Sequence, residues 1–289
     1  MKIAILGTEN SHALAFARLI KEKAKYQDVE IVGVYGYDAA ANQKLLDEGL
    51  VSYVAQDPHE FVGKVDGIII TARHGDNHYK YAKPYIESGI PMFIDKPITC
   101  REEDAVEFMR TVKEKGIRLC GGSTCAALQE TIELAEAVEN KVCGELRGGS
   151  IVSPIYTDSP YGGFYFYAEH LVDIMTKIFG YGVKAVYAEK LSKSISLTAK
   201  YDGYNVQGTY VEHTGYYSAT VYGSKSAKAQ ILNFTPDSFR HEMNDMLDLL
   251  HGEKMKKSYE EFIFPVFVLN ATLRALESGK CENLNEIKI

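Results

Sequence analysis

The stretch from Gly67 to Thr99 reads GIIITARHGDNHYKYAKPYIESGIPMFIDKPIT. Its opening run, Gly67 to Thr71, is short, apolar and β-branched, the composition of a strand buried on both faces of a parallel sheet. A polar loop from Ala72 to Asn77 follows, with Asp76 or Asn77 placed to cap a helix. The helix is expected over Tyr79 to Ser88, stopped by Gly89, a residue suited to the left-handed conformation that ends helices. Pro91 to Ile94 reads as a second buried strand, and Asp95-Lys96-Pro97 stands at its carboxyl end. Strand, helix and strand within about thirty residues make a βαβ unit, whose crossover is right-handed. Ligands of such sheets bind beyond the carboxyl ends of the strands, so Lys96 is delivered to a site edge.

Working outward, Lys2 to Gly7 is a strand ending in glycine, and Ser11 to Lys25 a helix. Glu30 to Tyr35 is a second strand, Ala39 to Glu48 a helix and Val51 to Val54 a short third strand. Beyond the βαβ unit come a helix over Glu102 to Lys115, a strand at Arg118 to Cys120, and a hinge at Gly121-Gly122-Ser123. Strands and helices alternating at this spacing predict a doubly wound parallel sheet. The rest reads differently. A helix over Ala126 to Asn140 and a strand over Glu145 to Val152 precede a Gly/Pro/Tyr-rich loop and a helix from Phe164 to Phe179. Strand-like segments between Val183 and Leu232 then predict a broad, mainly antiparallel sheet. Helices at Asp237 to Leu250 and Tyr259 to Ser278 close the chain. The expected division is a Rossmann-type domain at 1–122 and an α+β substrate and oligomerisation domain at 123–289.

The 289 residues, 46% hydrophobic, suffice for two sizeable cores. A net charge of −7 argues against nucleic acid or an anionic membrane as partner. No apolar run reaches the roughly 18–20 residues that span a bilayer, and the first strand is too short for a signal peptide. Five cysteines without paired C-x-x-C spacing fit unlinked thiols in a reducing cytoplasm. A soluble cytoplasmic protein is expected.

Thr71, His78 and Asp95-Lys96-Pro97 seventeen residues after His78 resemble the glucose–fructose oxidoreductase/inositol dehydrogenase (Gfo/Idh/MocA) family. That family carries Glu-Lys-Pro after its fifth strand, with the lysine in the active site. Asp95 is a mild departure. A second match lies at Gly162 to Asp173, which resembles the family's Gly-Gly run leading to Asp-x-x-x-His-x-x-Asp. His170 and Asp173 match, whereas Phe166 replaces the first aspartate. The resemblance implies an NAD- or NADP-dependent oxidoreductase acting on a secondary alcohol or ketone of a sugar, polyol or related metabolite. It implies catalytic roles for Lys96, His170 and Asp173, and a cofactor site including Thr71, His78, Asp95 and Pro97. Asp173, one turn from His170, would orient the ring. The family also includes non-catalytic regulators. A ligand sensor with weak or no dinucleotide binding is therefore the alternative.

The glycine loop is where the two readings part. The G-x-G-x-x-G fingerprint lets backbone approach a pyrophosphate. Here its three glycine positions read Gly7, Glu9 and His12. Glu9 would set a negative charge against the phosphates and weaken binding. Ser11 and His12 can still donate hydrogen bonds at a helix N-terminus. The acid that binds the adenosine ribose is absent directly after the second strand, where Gly36 stands. Asp38 is the nearest candidate, and it is equally suited to capping the helix at Ala39. His74 and His78, four apart, lack a third zinc ligand, so no metal site is expected. Tyr161 and Tyr167 are candidates for lining a polyhydroxylated substrate. The tyrosine-bearing pattern of Asn205 to Tyr222 suggests a homodimer or homotetramer through the second sheet.

Overall fold

In the computed structural model, residues 1–22, 24–235 and 237–289 are described. The chain forms two compact units, each considered by itself: Met1–Gly122 with Phe239–Phe262 and Ile289, and Ser123–Ser238 with Ile263–Lys288.

The first unit begins β1 (Lys2–Leu6), α1 (Ser11–Glu22), β2 (Glu30–Tyr35), α2 (Ala39–Asp47), β3 (Gly67–Ile70), α3 (Asp76–Ala82), β4 (Met92–Asp95), α4 (Glu102–Glu114) and β5 (Leu119–Gly122). The five strands are parallel, in the order β2-β1-β3-β4-β5. Every residue of β3 and β4 is buried, as their uninterrupted apolar runs require. Val51 to Val54 does not add a sixth strand. Only one bridge forms there, Val34 to Val54. The first helix ends earlier than expected, and Lys23 within the expected span lies outside the described residues. The helix after β3 also differs. It starts at Asp76 behind Gly75, without a side-chain cap, and from Lys83 to Ser88 tightens to 3-10 geometry at Pro84. Proline lacks the N–H that an α-helix needs there.

The second unit contains α5 (Gln129–Glu139), β6 (Leu146–Ile155), α6 (Tyr165–Phe179), β7 (Ala185–Lys190), β8 (Ser194–Lys200), β9 (Asn205–Glu212), β10 (Tyr217–Gly223) and β11 (Ala227–Leu232). After α7 (Arg240–Leu250) and α8 (Tyr259–Ser278), a short β12 (Glu282–Asn283) completes a seven-stranded sheet ordered β11-β10-β6-β9-β8-β7-β12. All its pairings are antiparallel except β6 with β9. On one face Ile195, Leu197, Val206, Tyr210, Ala219 and Val221 are buried in a core with α6. Tyr210 and Tyr217 belong to that buried side. The outer face carries mainly Ser and Thr, with Tyr222 exposed, so it is less tyrosine-rich than the sequence suggests.

A single cut after residue 122 does not describe how the chain divides. Helix α7 belongs to the first unit, where Met243, Met246, Leu247 and Leu249 enter the core beside Phe16, Phe93 and Cys120. Those four residues lie on the buried side of α7, and the fold supplies the core they enter. The five cysteines form no disulfide. Among the described residues no helix is long and apolar enough to cross a membrane.

Candidate active site

The carboxyl edge of the first unit's sheet gathers most of the expected residues. Lys96, directly after β4, is 4% exposed, and its backbone N–H donates to Asp95 Oδ1 at 2.7 Å. The Lys96–Pro97 peptide is cis. Asp95 Oδ2 accepts from Asn10 Nδ2 at 2.6 Å and lies 3.0 Å from His12 Nδ1. The third fingerprint position thus holds an imidazole that pairs with the acid of the Asp-Lys-Pro run. Burial alone would raise the Asp95 pKa, but His12 and Lys96 outweigh it and hold the group well below the carboxylate range. Burial would lower the His12 pKa, yet Asp95 and then Glu242 of α7 raise it.

Thr71 and His78 brace this edge from within. The Thr71 hydroxyl donates to the Gly7 carbonyl at 2.9 Å, and its N–H donates to Leu6 O at 2.7 Å. His78 is buried with Nδ1 2.7 Å from Pro97 O and Nε2 2.8 Å from Ala72 O, tying the β3 and β4 loops together. Burial pushes its pKa down. Both His78 nitrogens lie at carbonyl oxygens, while His74 stands with Asp76 and Cys100 in a group whose potential ligand atoms lie within 4.8 Å of one another. Pro97 contributes one of the two carbonyls at His78.

Three further features belong to the glycine loop and its neighbours. Gly7, at φ +102°, brings its backbone so close to the β3 loop that a Cβ would lie 2.2 Å from Ala72 N. Ser11 opens α1 with its residue exposed. Glu9 is 7% exposed, its Oε1 accepts the Arg73 N–H at 3.3 Å, and its Oε2 has no hydrogen-bond partner among the described residues. Burial raises the Glu9 pKa. Asp38 makes the capping contact, one of its two readings. Its Oδ1 accepts from the N–H groups of Ala40 and Ala41 at 2.9 and 3.0 Å, the N-cap of α2.

In the second unit, His170 and Asp173 lie buried on α6. Asp173 Oδ2 accepts the Ser123 N–H at 2.8 Å, and Ser123 Oγ lies 2.6 Å from His170 Nδ1. Ser123 thus bridges the two side chains that the sequence sets one turn apart. Sequence reading took Ser123 for part of a glycine hinge. Its cue was the Ser-Thr-Cys start of a 3-10 turn that it caps through Cys125 N–H. Tyr161 and Tyr167 line a cleft of about 370 Å³ with Tyr156, Asp158 and Phe166. Tyr167 packs edge-on to His170, with ring centres 5.2 Å apart.

Residues 1–123 match the model of the Gfo/Idh/MocA group, described as "Oxidoreductase family, NAD-binding Rossmann fold". That match covers the first unit's sheet and helices α1 to α4, 123 of the 289 residues. No curated protein matches the sequence. Solved structures do resemble it over nearly its full length. A probable dehydrogenase from Thermotoga maritima has TM-score 0.85 at 17% identity, covering 100% of both chains. Myo-inositol 2-dehydrogenase from Lactobacillus plantarum has TM-score 0.87 at 15%, covering 99% of both. Scyllo-inositol dehydrogenase from Lactobacillus casei, solved with NAD(H) and scyllo-inositol, has TM-score 0.83 at 15%, covering 98% of both. At such identities the likeness shows the fold alone.

Proposed function

We propose that this chain is a divergent Gfo/Idh/MocA member, an NAD(P)-dependent oxidoreductase acting on a secondary alcohol or ketone of a sugar, polyol or related small metabolite. The observation that carries the reading is Lys96: a buried amine-bearing residue at the carboxyl end of β4, its backbone fixed on Asp95. When bound, the nicotinamide supplies hydride transfer. Lys96 donates a hydrogen bond to the reacting oxygen and steadies the charge that develops on it. His170, with Nδ1 at Ser123, exchanges the proton. Asp173 holds Ser123 in register for that task. Tyr161 and Tyr167 face the substrate with hydroxyls and ring edges. The inositol bound by the Lactobacillus casei enzyme supports the choice of polyol as substrate class.

The test has two stages. NADH and NADPH are titrated into the pure protein and nicotinamide fluorescence is followed. Polyols and sugars are then screened for turnover. Lys96→Ala should lower kcat by about 10²–10⁴-fold, the usual worth of one acid–base group, while dinucleotide affinity stays within a few-fold. Absence of saturable cofactor binding up to millimolar would replace this reading with that of a ligand sensor.

A further inference from the structure

We propose that Glu9 is the acceptor for the adenosine ribose hydroxyls, moved from the end of β2 into the glycine loop, and that it makes the protein select NAD over NADP. The inference rests on the cofactor reading above and goes beyond it by naming the residue that discriminates.

In nucleotide-binding sheets of this kind the ribose diol is read by an acid at the end of the second strand. Here that place is sealed by the protein's own side chains. A Cβ on Gly36 would sit 1.9 Å from Thr8 Oγ1 and 2.8 Å from Thr8 N. The Thr8 hydroxyl donates to Asn42 Oδ1 at 2.5 Å, and Asn42 Nδ2 donates to the Gly36 carbonyl at 2.8 Å. No acid can be carried at position 36 without breaking this lock. The next acid along, Asp38, is engaged as the cap of α2.

Glu9 is the remaining carboxylate of the loop, and its state calls for a donor. The side chain is buried, one oxygen is held by the Arg73 N–H, and the other has no partner among the described residues. Buried acceptors are normally satisfied, and one left bare marks a place where a ligand donor belongs. A vicinal diol offers two O–H donors to such an oxygen. A phosphate offers none, and a 2′-phosphate adds negative charge beside the carboxylate. The charges of Arg73 and Asp38 both act on Glu9, so Arg73 is its counter-charge. With Glu9 neutralised, Arg73 becomes the natural partner of a 2′-phosphate.

The experiment measures binding to the full chain without turnover. NADH and NADPH are compared by fluorescence, and ADP and 2′,3′-dideoxy-ADP by calorimetry. The wild type should bind NADH about tenfold or more tightly than NADPH, and ADP about tenfold more tightly than the dideoxy compound, the scale of one charge-assisted hydrogen bond. Glu9→Gln should erase both preferences, with NADPH gaining more than NADH loses. Glu9→Gly serves as the second variant, and circular dichroism checks that each folds. The inference is overturned if both folded variants keep the wild-type preferences, or if the wild type favours NADPH or ignores the diol. Should neither variant fold, the two wild-type comparisons decide. Failure of every nucleotide to bind would sink the cofactor reading as well, whereas binding that ignores Glu9 sinks this inference alone.

Discussion

Ser123 is the residue whose role the fold changes most. A hydroxyl 2.6 Å from His170 Nδ1, accepting from the Cys125 N–H, can donate to the neutral ring or accept from a protonated Nδ1. It therefore follows the ring through both states of a proton transfer without adding charge. Ser123→Ala should lower kcat/KM by about 10–100-fold, as loss of a supporting partner commonly does. It should also shift the tautomer signals of His170 in long-range nitrogen–proton spectra. Ser123→Thr, which keeps the hydroxyl, should restore much of the rate. A wild-type spectrum in the alanine variant would show that the ring is held by other groups.

At the scale of elements, the joint between α1 and β4 is an ion pair with a pH signature. His12 has a raised pKa in the fold, so its contribution is complete below the unfolded value of about 6.5 and fades as pH climbs through the folded value. Asp95 has a lowered pKa, so its contribution is complete above about 3.9 and is lost only as pH falls through the folded value. The pair thus stabilises most between those limits. His12→Gln removes one of the two cations beside buried Asp95 and should cost about 3 kcal/mol at pH 6, the low end for breaking a buried pair. The gap from wild type, read from urea midpoints, should narrow by pH 9. A gap of constant size across that range would mean that His12 acts by packing on Phe16 and Phe239 rather than by charge.

For the whole molecule, the outer face of the second sheet bears on assembly. Its strands carry several hydroxyl side chains, and Tyr187, Tyr222 and Ile231 are exposed. Pairing of Tyr187 with Thr198, and of Ile231 with Ser218, puts these on the same side. A homodimer or tetramer through this face is expected, and Ile231→Asp should dissociate it. Sedimentation at micromolar concentration reads the mass directly, and a wild-type species of 32.2 kDa would refute the assembly.

What the sequence by itself determined is what depends on neighbours in the chain. Unbroken β-branched runs, glycine stops and the βαβ spacing placed β3, β4 and Lys96, because strand and helix periodicity are local properties. Even the misplaced start and 3-10 end of the helix after β3 trace to local chemistry, at Gly75 and Pro84. Tertiary structure decided which polar groups meet. Asn10 and Asp95 lie 85 positions apart, Ser123 and His170 lie 47 apart, and no pattern in either segment names the other. The same holds for α7, whose apolar face is plain in the sequence while the core it enters is not. Asp38 and Glu9 show the point most sharply. Both are acids near the carboxyl edge of the first sheet, yet one gives an oxygen to two helix N–H groups and the other is buried with an oxygen that has no partner among the described residues. A carboxylate's task follows from the donors that surround it, and those are assembled only by the folded chain.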